Sequence, residues 1–195
     1  LPVVPCAQPF GWRTNPQGYT VCRMSSALLT DMQQQSGEHA LVRVGLSLGS
    51  NLGDRLATLE RVCDYLSEIF GSLRLSQVYE TEPVDCPPGS PAYLNACVEV
   101  STTMSAPAVL RCCQEIEKDL GRTRSGEYGE PRTCDIDVLY YGEMVSDAPE
   151  LILPHPRAHL REFVLRPLCD IDPLLVLPGQ HATVQELLAA FPPKN

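Results

Sequence analysis

The chain has 195 residues and 21.4 kDa, about the size of one domain. With 44% hydrophobic and 20% charged residues it is neither a wholly disordered nor a collagen-like chain, and no apolar run approaches the roughly 18 residues of a membrane-spanning helix. A net charge of −9 and a pI near 4.9 count against a nucleic-acid partner, yet leave room for a small anion held by a few local arginines and a metal.

Residues 1–40 read as an N-terminal extension, flexible or non-native. They hold Pro2, Pro5, Pro9, Pro16 and the run Gln33–Gln35, without a helical or strand period. Met24 offers an internal start. Read-through, a fused-partner remnant, a linker and a targeting peptide all remain open, the last weakened by the lack of a basic amphipathic face.

The folded part is expected at 41–195. Leu41–Leu48 reads as a buried strand, and Gly49–Asp54 as a turn into a helix whose apolar face is Leu56, Leu59, Cys63, Leu66 and Phe70, closed by Gly71. Ser72–Thr81 alternates as one strand, with Leu73, Leu75, Gln77 and Tyr79 on one face. A proline- and glycine-rich loop spans 82–92, and Tyr93–Val100 is the next strand. Pro107 suits the first turn of a second helix with the stripe Val109, Cys113, Ile116 and Leu120, closed by Gly121. A polar loop at 122–134 leads to a strand in which Ile136, Val138 and Tyr140 oppose Asp135, Asp137 and Leu139. A hairpin near Gly142, Leu151–Leu153, a helix near Arg161–Leu168, a strand at Leu174–Leu177 and a helix near Val184–Phe191 complete the chain. The core order predicts an α+β fold: a ferredoxin-like split βαβ sandwich with an antiparallel-rich sheet and C-terminal additions.

Nine cysteines, at 6, 22, 63, 86, 97, 112, 113, 134 and 169, contain no C-x-x-C. Cys97, Cys113 and Cys134 have apolar neighbours and read as small buried residues of a protein from a reducing compartment, the cytoplasm.

Asp135 and Asp137 are two apart on a predicted strand, so their carboxylates share a face and repel each other unless a cation intervenes. Hard oxygen donors beside substrate phosphates suit Mg²⁺. Alone, the pair is better explained as solvated carboxylates on an exposed sheet face. Arg122, Arg124 and Arg132 flank it, and Arg157, Arg161 and Arg166 follow; guanidinium forks match phosphate oxygens, although each is as readily a surface ion pair. Gly45–Gly53 lacks the Gly-Lys-Ser/Thr ending of a phosphate-binding loop, so metal and side chains would have to hold a nucleotide. Pro154 and Pro156 fix the backbone around His155, a donor to phosphate or an acid–base group. Tyr79–Val84 followed by Tyr93-Leu94-Asn95 could hold a flat heterocycle, Asn95 reading its edge and Tyr93 and Phe163 its faces.

In this order, Gly49-Ser50-Asn51-Leu52-Gly53-Asp54, Tyr79-Glu80-Thr81-Glu82-Pro83, Tyr93-Leu94-Asn95, Glu117 with Gly121-Arg122, Pro131-Arg132-Thr133 with Asp135-Ile136-Asp137, and Pro154-His155-Pro156-Arg157 resemble the hydroxymethyldihydropterin pyrophosphokinase family of folate biosynthesis. The resemblance covers about residues 41–190. It implies transfer of pyrophosphate from ATP to 6-hydroxymethyl-7,8-dihydropterin with release of AMP. It implies two Mg²⁺ ions on Asp135 and Asp137, catalytic Arg122 and Arg132, ATP contacts from Glu117, Arg124, His155 and Arg161, and a pterin pocket of Thr81, Glu82, Val84, Tyr93, Asn95 and Phe163. The loops at 84–91 and 122–134 would close over the substrates. Fusion or association with other folate-pathway enzymes is a further implication, whereas no nucleic-acid or membrane partner is. Two departures from the family stand out: Tyr128-Gly129-Glu130 where many members carry Trp-Gly, and Ser125 where some carry a basic residue. The competing readings are another Mg²⁺-nucleotide transferase, separated by acceptor specificity, and an inactive ferredoxin-like binding domain, separated by metal-independent binding without turnover.

Overall fold

The computed structural model describes residues 2, 40–84, 86–122 and 132–192. It is a mixed α/β structure built on an antiparallel sheet. Strand β1 (Val42–Ser50) is central, flanked by β4 (Tyr93–Thr102) and β5 (Asp135–Tyr141), with β2 (Leu73–Leu75) and β3 (Tyr79–Thr81) on the outer side of β4. Helix α1 (Arg55–Phe70) joins β1 to β2, and α2 (Ala106–Asp119) joins β4 to β5. A hairpin, β6 (Ser146–Ala148) and β7 (Leu151–Leu153), then leads through a short 3-10 turn to α3 (Glu162–Ile171) and α4 (Val184–Ala189). None of the described helices is long and apolar enough to cross a membrane.

The sheet's two faces bury different things. Even-numbered residues of β1 (Val44, Leu46, Leu48) and β4 (Leu94, Ala96, Val98, Val100) pack with Leu59, Val62, Cys63 and Leu66 of α1 and Val109, Cys113 and Ile116 of α2. Apart from Val62, which widens the first stripe, these helical residues belong to the stripes expected from the 3.6-residue period, with Leu56 and Phe70 only partly buried at the ends of α1. Asp54 caps α1 through the Ala57 N–H at 3.1 Å, and Gly71 leaves it with φ +80°. Cys97, Leu139 and Tyr140 on the opposite face pack with Val164, Leu165 and Leu168 of α3 and Val184 of α4. These C-terminal elements cover only part of that face; the odd-numbered residues at its other end line a cavity.

Two irregularities set which side chains lie on the cavity side of the sheet. Leu73 and Leu75 pair with Val100 and Val98, but Tyr79 and Thr81 pair with Asn95 and Tyr93, so the outer strand has one extra residue. The expected single strand Ser72–Thr81 is therefore two, and its alternation inverts across the break. Val78 joins Leu73 and Leu75 in the core. Tyr79 turns to the opposite face and donates its hydroxyl hydrogen to Asp170 of α3. Ser76 fills the break, its N–H bonding the Cys97 carbonyl and its Oγ accepting from the Cys97 N–H at 2.8 Å. A second irregularity lies between Gly45 and Leu46, opposite Leu139. Past it Tyr140 lies on the cavity side of the sheet rather than with Ile136 and Val138, and donates to buried Glu99 at 2.6 Å.

The strand expected at Leu174–Leu177 is only an isolated bridge, Val176 with Thr183. Leu174 and Val176 stay exposed, so apolar character there follows a surface path rather than a sheet. The seven described cysteines form no disulfide with one another; Cys97, Cys113 and Cys134 are fully buried.

Candidate active site

Three strands supply the cavity floor. Across the sheet, Asn95, Gly49 and Asp135 form one row, and Cys97, Ser47 and Asp137 the next. The central strand thus separates a polar amide on β4 from a carboxylate pair on β5. Gly49 keeps the first row open: a Cβ there would lie 3.2 Å from Asn95 Oδ1 and 3.8 Å from the Asp135 Cβ. The cavity has a volume of about 310 Å³.

On one side, Asn95 donates its amide to Thr81 Oγ1 at 2.6 Å. This bond exists because the outer-strand bulge turned Thr81 inward, and it orients the amide at the pocket wall. Tyr93, Glu82, Val84 and Phe163 complete this half. Phe163 stands in the first turn of α3 with the Arg161 guanidinium 5.3 Å from its ring centre, a cation–π contact. Burial, and then the neighbouring Cys86 thiol, push the Tyr93 phenol up to about 12.

On the other side lie Asp135 and Asp137. Arg122 Nη1 reaches Asp135 Oδ1 at 2.7 Å, and Arg132 Nη1 reaches Oδ2 at 3.0 Å. Burial pushes the Asp137 carboxyl up to about 6, and the Asp135 charge adds to this against the opposing fields of Arg161, Arg122 and Arg132. The donors here are oxygens only, a set suited to Mg²⁺ sharing its shell with phosphate and water. Among the described residues no group of three or more His, Cys, Asp or Glu is placed to hold a metal ion by itself.

His155 follows the cis Leu153–Pro154 peptide, and its N–H donates to the Leu139 carbonyl at 2.8 Å. Its Nδ1 accepts the Arg157 N–H at 3.2 Å, so in the neutral ring the proton sits on Nε2. Burial, then Arg161 and Arg157, depress its pKa to about 4, which keeps the ring neutral near pH 7.

Of the residues singled out by sequence, Arg122, Arg132, Asp135, Asp137, His155, Arg161, Thr81, Glu82, Val84, Tyr93, Asn95 and Phe163 all line this one cavity. Glu117 does not. It is buried in α2, binds Arg122, and accepts the Ile136 N–H at 2.8 Å. It sits beneath the arginine, outside the cavity lining, because a helical carboxylate facing the sheet can be buried only against such partners. Arg124, Ser125 and Tyr128–Glu130 lie outside the described residues. Arg157, which the sequence offered as a phosphate-binding guanidinium, also lines the cavity, as do Gly49 of the first motif, Cys86 of the 84–91 loop and Ser47, which the sequence had not singled out. Ser47 had a readable signal, a polar residue in a buried strand with the parity of the open face.

A net −9 chain thus gathers four arginines, Arg122, Arg132, Arg157 and Arg161, around two aspartates, next to a half built from Asn95, Tyr93 and Phe163. Residues 45–173 match the model of the family described as 7,8-dihydro-6-hydroxymethylpterin-pyrophosphokinase. The chain belongs to that family. Among its relatives, the pyrophosphokinase of Methylorubrum extorquens, named 2-amino-4-hydroxy-6-hydroxymethyldihydropteridine pyrophosphokinase, is 39% identical over 160 residues, which cover 80% of this chain and 97% of the relative. The folic acid synthesis protein fol1 of Schizosaccharomyces pombe is 39% identical over 149 residues, 75% of this chain but only 20% of that protein. The chain therefore spans about a fifth of that longer relative. A solved structure of Plasmodium falciparum HPPK-DHPS shares the fold with TM-score 0.63 at 16% identity, covering 80% of this chain and 46% of that one.

Proposed function

We propose that the chain transfers a pyrophosphoryl group from ATP to 6-hydroxymethyl-7,8-dihydropterin, giving the pterin diphosphate and AMP for folate synthesis. The observation that carries this reading is the juxtaposition, across the single strand β1, of the Asp135/Asp137 pair with the Asn95/Thr81 edge-reading site. We read the sheet order as the ferredoxin-like split βαβ arrangement, residues 41–195 as the enzyme domain and residues 1–40 as an extension to it.

In this reading the pterin lies between Tyr93 and Phe163, with its heterocycle edge on Asn95 and its remaining contacts to Thr81, Glu82 and Val84. Its hydroxymethyl oxygen then points over Gly49 toward the phosphates. That oxygen attacks the β-phosphorus, the bond from the β-phosphorus to the bridging oxygen of the α-phosphate breaks, AMP leaves with that oxygen, and the hydroxyl proton is released. Asp135 and Asp137 would hold Mg²⁺, read here as two ions, and such ions supply neutralisation of phosphate charge. Arg122 and Arg132, which here pair with Asp135, would turn to phosphate oxygens once a cation takes over that carboxylate, Arg122 still backed by Glu117. Arg161 and the Nε2–H of neutral His155 contact the phosphates from the opposite wall, with Arg124 assigned there by family position. Glu117 acts through Arg122. The length of the fungal relative makes fusion or association with other folate-pathway enzymes part of the proposal.

The test is nucleotide product analysis with ATP, Mg²⁺ and the pterin. AMP is expected only when pterin and metal are both present. ADP as the product, or AMP formation indifferent to the pterin, overturns the reading.

A further inference from the structure

The amide assigned to the heterocycle edge is aimed by residues of β3. Asn95 is buried, and the two ends of its amide look in different directions. Nδ2 donates to Thr81 Oγ1 at 2.6 Å, while Oδ1 faces Gly49, where an added Cβ would lie 3.2 Å from it. On the same face of the sheet, Tyr79 stands directly opposite Asn95 in the pairing of β3 with β4, on the side away from Gly49. Side chains so paired stand about 4.5–5.5 Å apart at Cβ. Tyr79 is buried without lining the cavity, so its ring backs the amide.

Strand β3 has three residues, and three ladder pairs to β4 fix little by themselves. A second anchor comes from α3. Exposed Asp170, in the last turn of that helix, accepts the Tyr79 hydroxyl at 2.9 Å and the Gln77 N–H at 3.0 Å, both on Oδ2. One carboxylate thus holds the residue that opens β3 and the chain just before it. A carboxylate in the last helical turn opposes the negative end of the helix dipole, so Asp170 serves the strand better than its own helix. Phe163 lies seven residues earlier in α3, about 10 Å along the axis and on the same side of the helix. The helix therefore carries the aromatic wall of the heterocycle half at one end and the anchor of the amide wall at the other.

We propose that Tyr79 and Asp170 are positioning residues for the heterocycle half: the clasp between them sets the place of the Asn95–Thr81 pair relative to Phe163, and with it the affinity for the flat ring. This rests on the reading of that half as the pterin site. The clasp acts through Asn95 and touches no substrate. Arg43 and Arg74 still hold the C-terminal end of α3 when it is cut, through Asp172 and the Ile171 carbonyl, so the short strand loosens rather than the helix. Asp135 and Asp137 hang on β5, which the clasp does not reach, so nucleotide affinity is left alone.

The experiment is calorimetric titration of the pterin onto the full chain saturated with a non-hydrolysable ATP analogue and Mg²⁺, beside titration of the analogue alone. Tyr79→Phe removes the hydroxyl and keeps the ring. Asp170→Ala removes both bonds, and Asp170→Asn keeps one acceptor oxygen. The pterin is expected to bind about 3- to 10-fold more weakly to Tyr79→Phe and Asp170→Ala, and less so to Asp170→Asn, with analogue affinity within about twofold of wild type. In turnover the pterin KM is expected to rise by the same factor with kcat unchanged. The double variant Tyr79→Phe/Asp170→Ala is expected to bind the pterin no more weakly than Asp170→Ala, because both changes cut the same bond. Equal weakening of pterin and analogue marks a merely structural role and overturns the proposal, as does wild-type pterin affinity in folded Tyr79→Phe and Asp170→Ala. Failure of folded wild type, holding the analogue, to bind the pterin overturns the functional reading and the proposal with it.

Discussion

His155 gives folding a pH dependence that can be measured without any ligand. Burial first, then the positive fields of Arg161 and Arg157, lower its pKa from 6.5 to about 4 in the folded chain. Between those values the unfolded chain binds the proton and the folded chain does not. The stabilisation tied to this group is therefore present above pH 6.5 and is lost as pH falls toward 4. Each tenfold change in proton affinity corresponds to about 1.4 kcal/mol, so the full effect is about 3 kcal/mol, and the part lost between pH 7 and pH 5 is about 2 kcal/mol. Asp137 works in the opposite sense: burial and Asp135 raise its carboxyl to about 6, so its ionisation destabilises the fold as pH rises, and acidification relieves this. The wild-type curve alone mixes the two effects. Subtracting the curve of His155→Gln, which keeps a neutral polar side chain, isolates the histidine. Urea unfolding at pH 7 and pH 5 is expected to show wild type losing about 2 kcal/mol more than the variant on acidification, a midpoint difference of about 1 M at ordinary urea slopes. Parallel losses in the two proteins would refute the account of His155 as a neutral, buried ring.

Asp137→Asn is expected to remove activity by about a hundredfold or more while raising stability at pH 7 by about 1–3 kcal/mol, because the amide ends the repulsion with Asp135; AMP formation and urea midpoints check the two halves. Glu117→Gln leaves half-buried Arg122 with one carboxylate, Asp135, instead of two and is expected to cost about 1–3 kcal/mol in urea unfolding, no measurable loss contradicting the burial of Glu117 against Arg122. Gly45→Ala drives a methyl into the Tyr140 ring, for about 1–3 kcal/mol of destabilisation, and the double variant Gly45→Ala/Tyr140→Leu is expected to recover part of it.

The long elements were legible because period and burial agree in them. The stripes of α1 and α2 and the even-numbered face of β1 meet in one core, so 3.6- and 2-residue patterns suffice to place them. The bulges were not legible. Val78 and Tyr79 are adjacent, both apolar and both buried, so the alternation around them supports either parity. Only pairing with β4 decides which of them faces the cavity, and with it the orientation of Thr81. For the site, the Asp135/Asp137 spacing transmits directly to a shared face, whereas the place of Glu117 depends on Arg122 folding back over it. Asn51 and Arg55 stand in an ordinary turn, and their hydrogen bonds with Pro91, Ala92 and Arg132 are a tertiary fact without a local pattern.

The buried carboxylate Glu99 and the half-buried Asp137 share one face of the sheet and have opposite balances. Burial disfavours the Glu99 anion, but hydrogen bonds from Arg43, Tyr140 and Arg74 outweigh it and hold its carboxyl below the usual range. The same arginines reach Asp172 and the Ile171 carbonyl, while Asp170 takes Gln77 N–H and the Tyr79 hydroxyl, so the C-terminal end of α3 is fastened to β1, β2 and β3. That fastening fixes the helix whose opposite end presents Phe163, with Arg161 as its N-cap, to the cavity. At Asp137 burial wins against the arginines instead. A carboxylate already satisfied by protein donors gains nothing from a cation. One whose charge burial and a neighbouring carboxylate disfavour, in a site walled by guanidinium groups, is where a divalent ion and its phosphates recover the most, so the disfavoured charge lies where the proposed chemistry needs it and the satisfied one where the fold does.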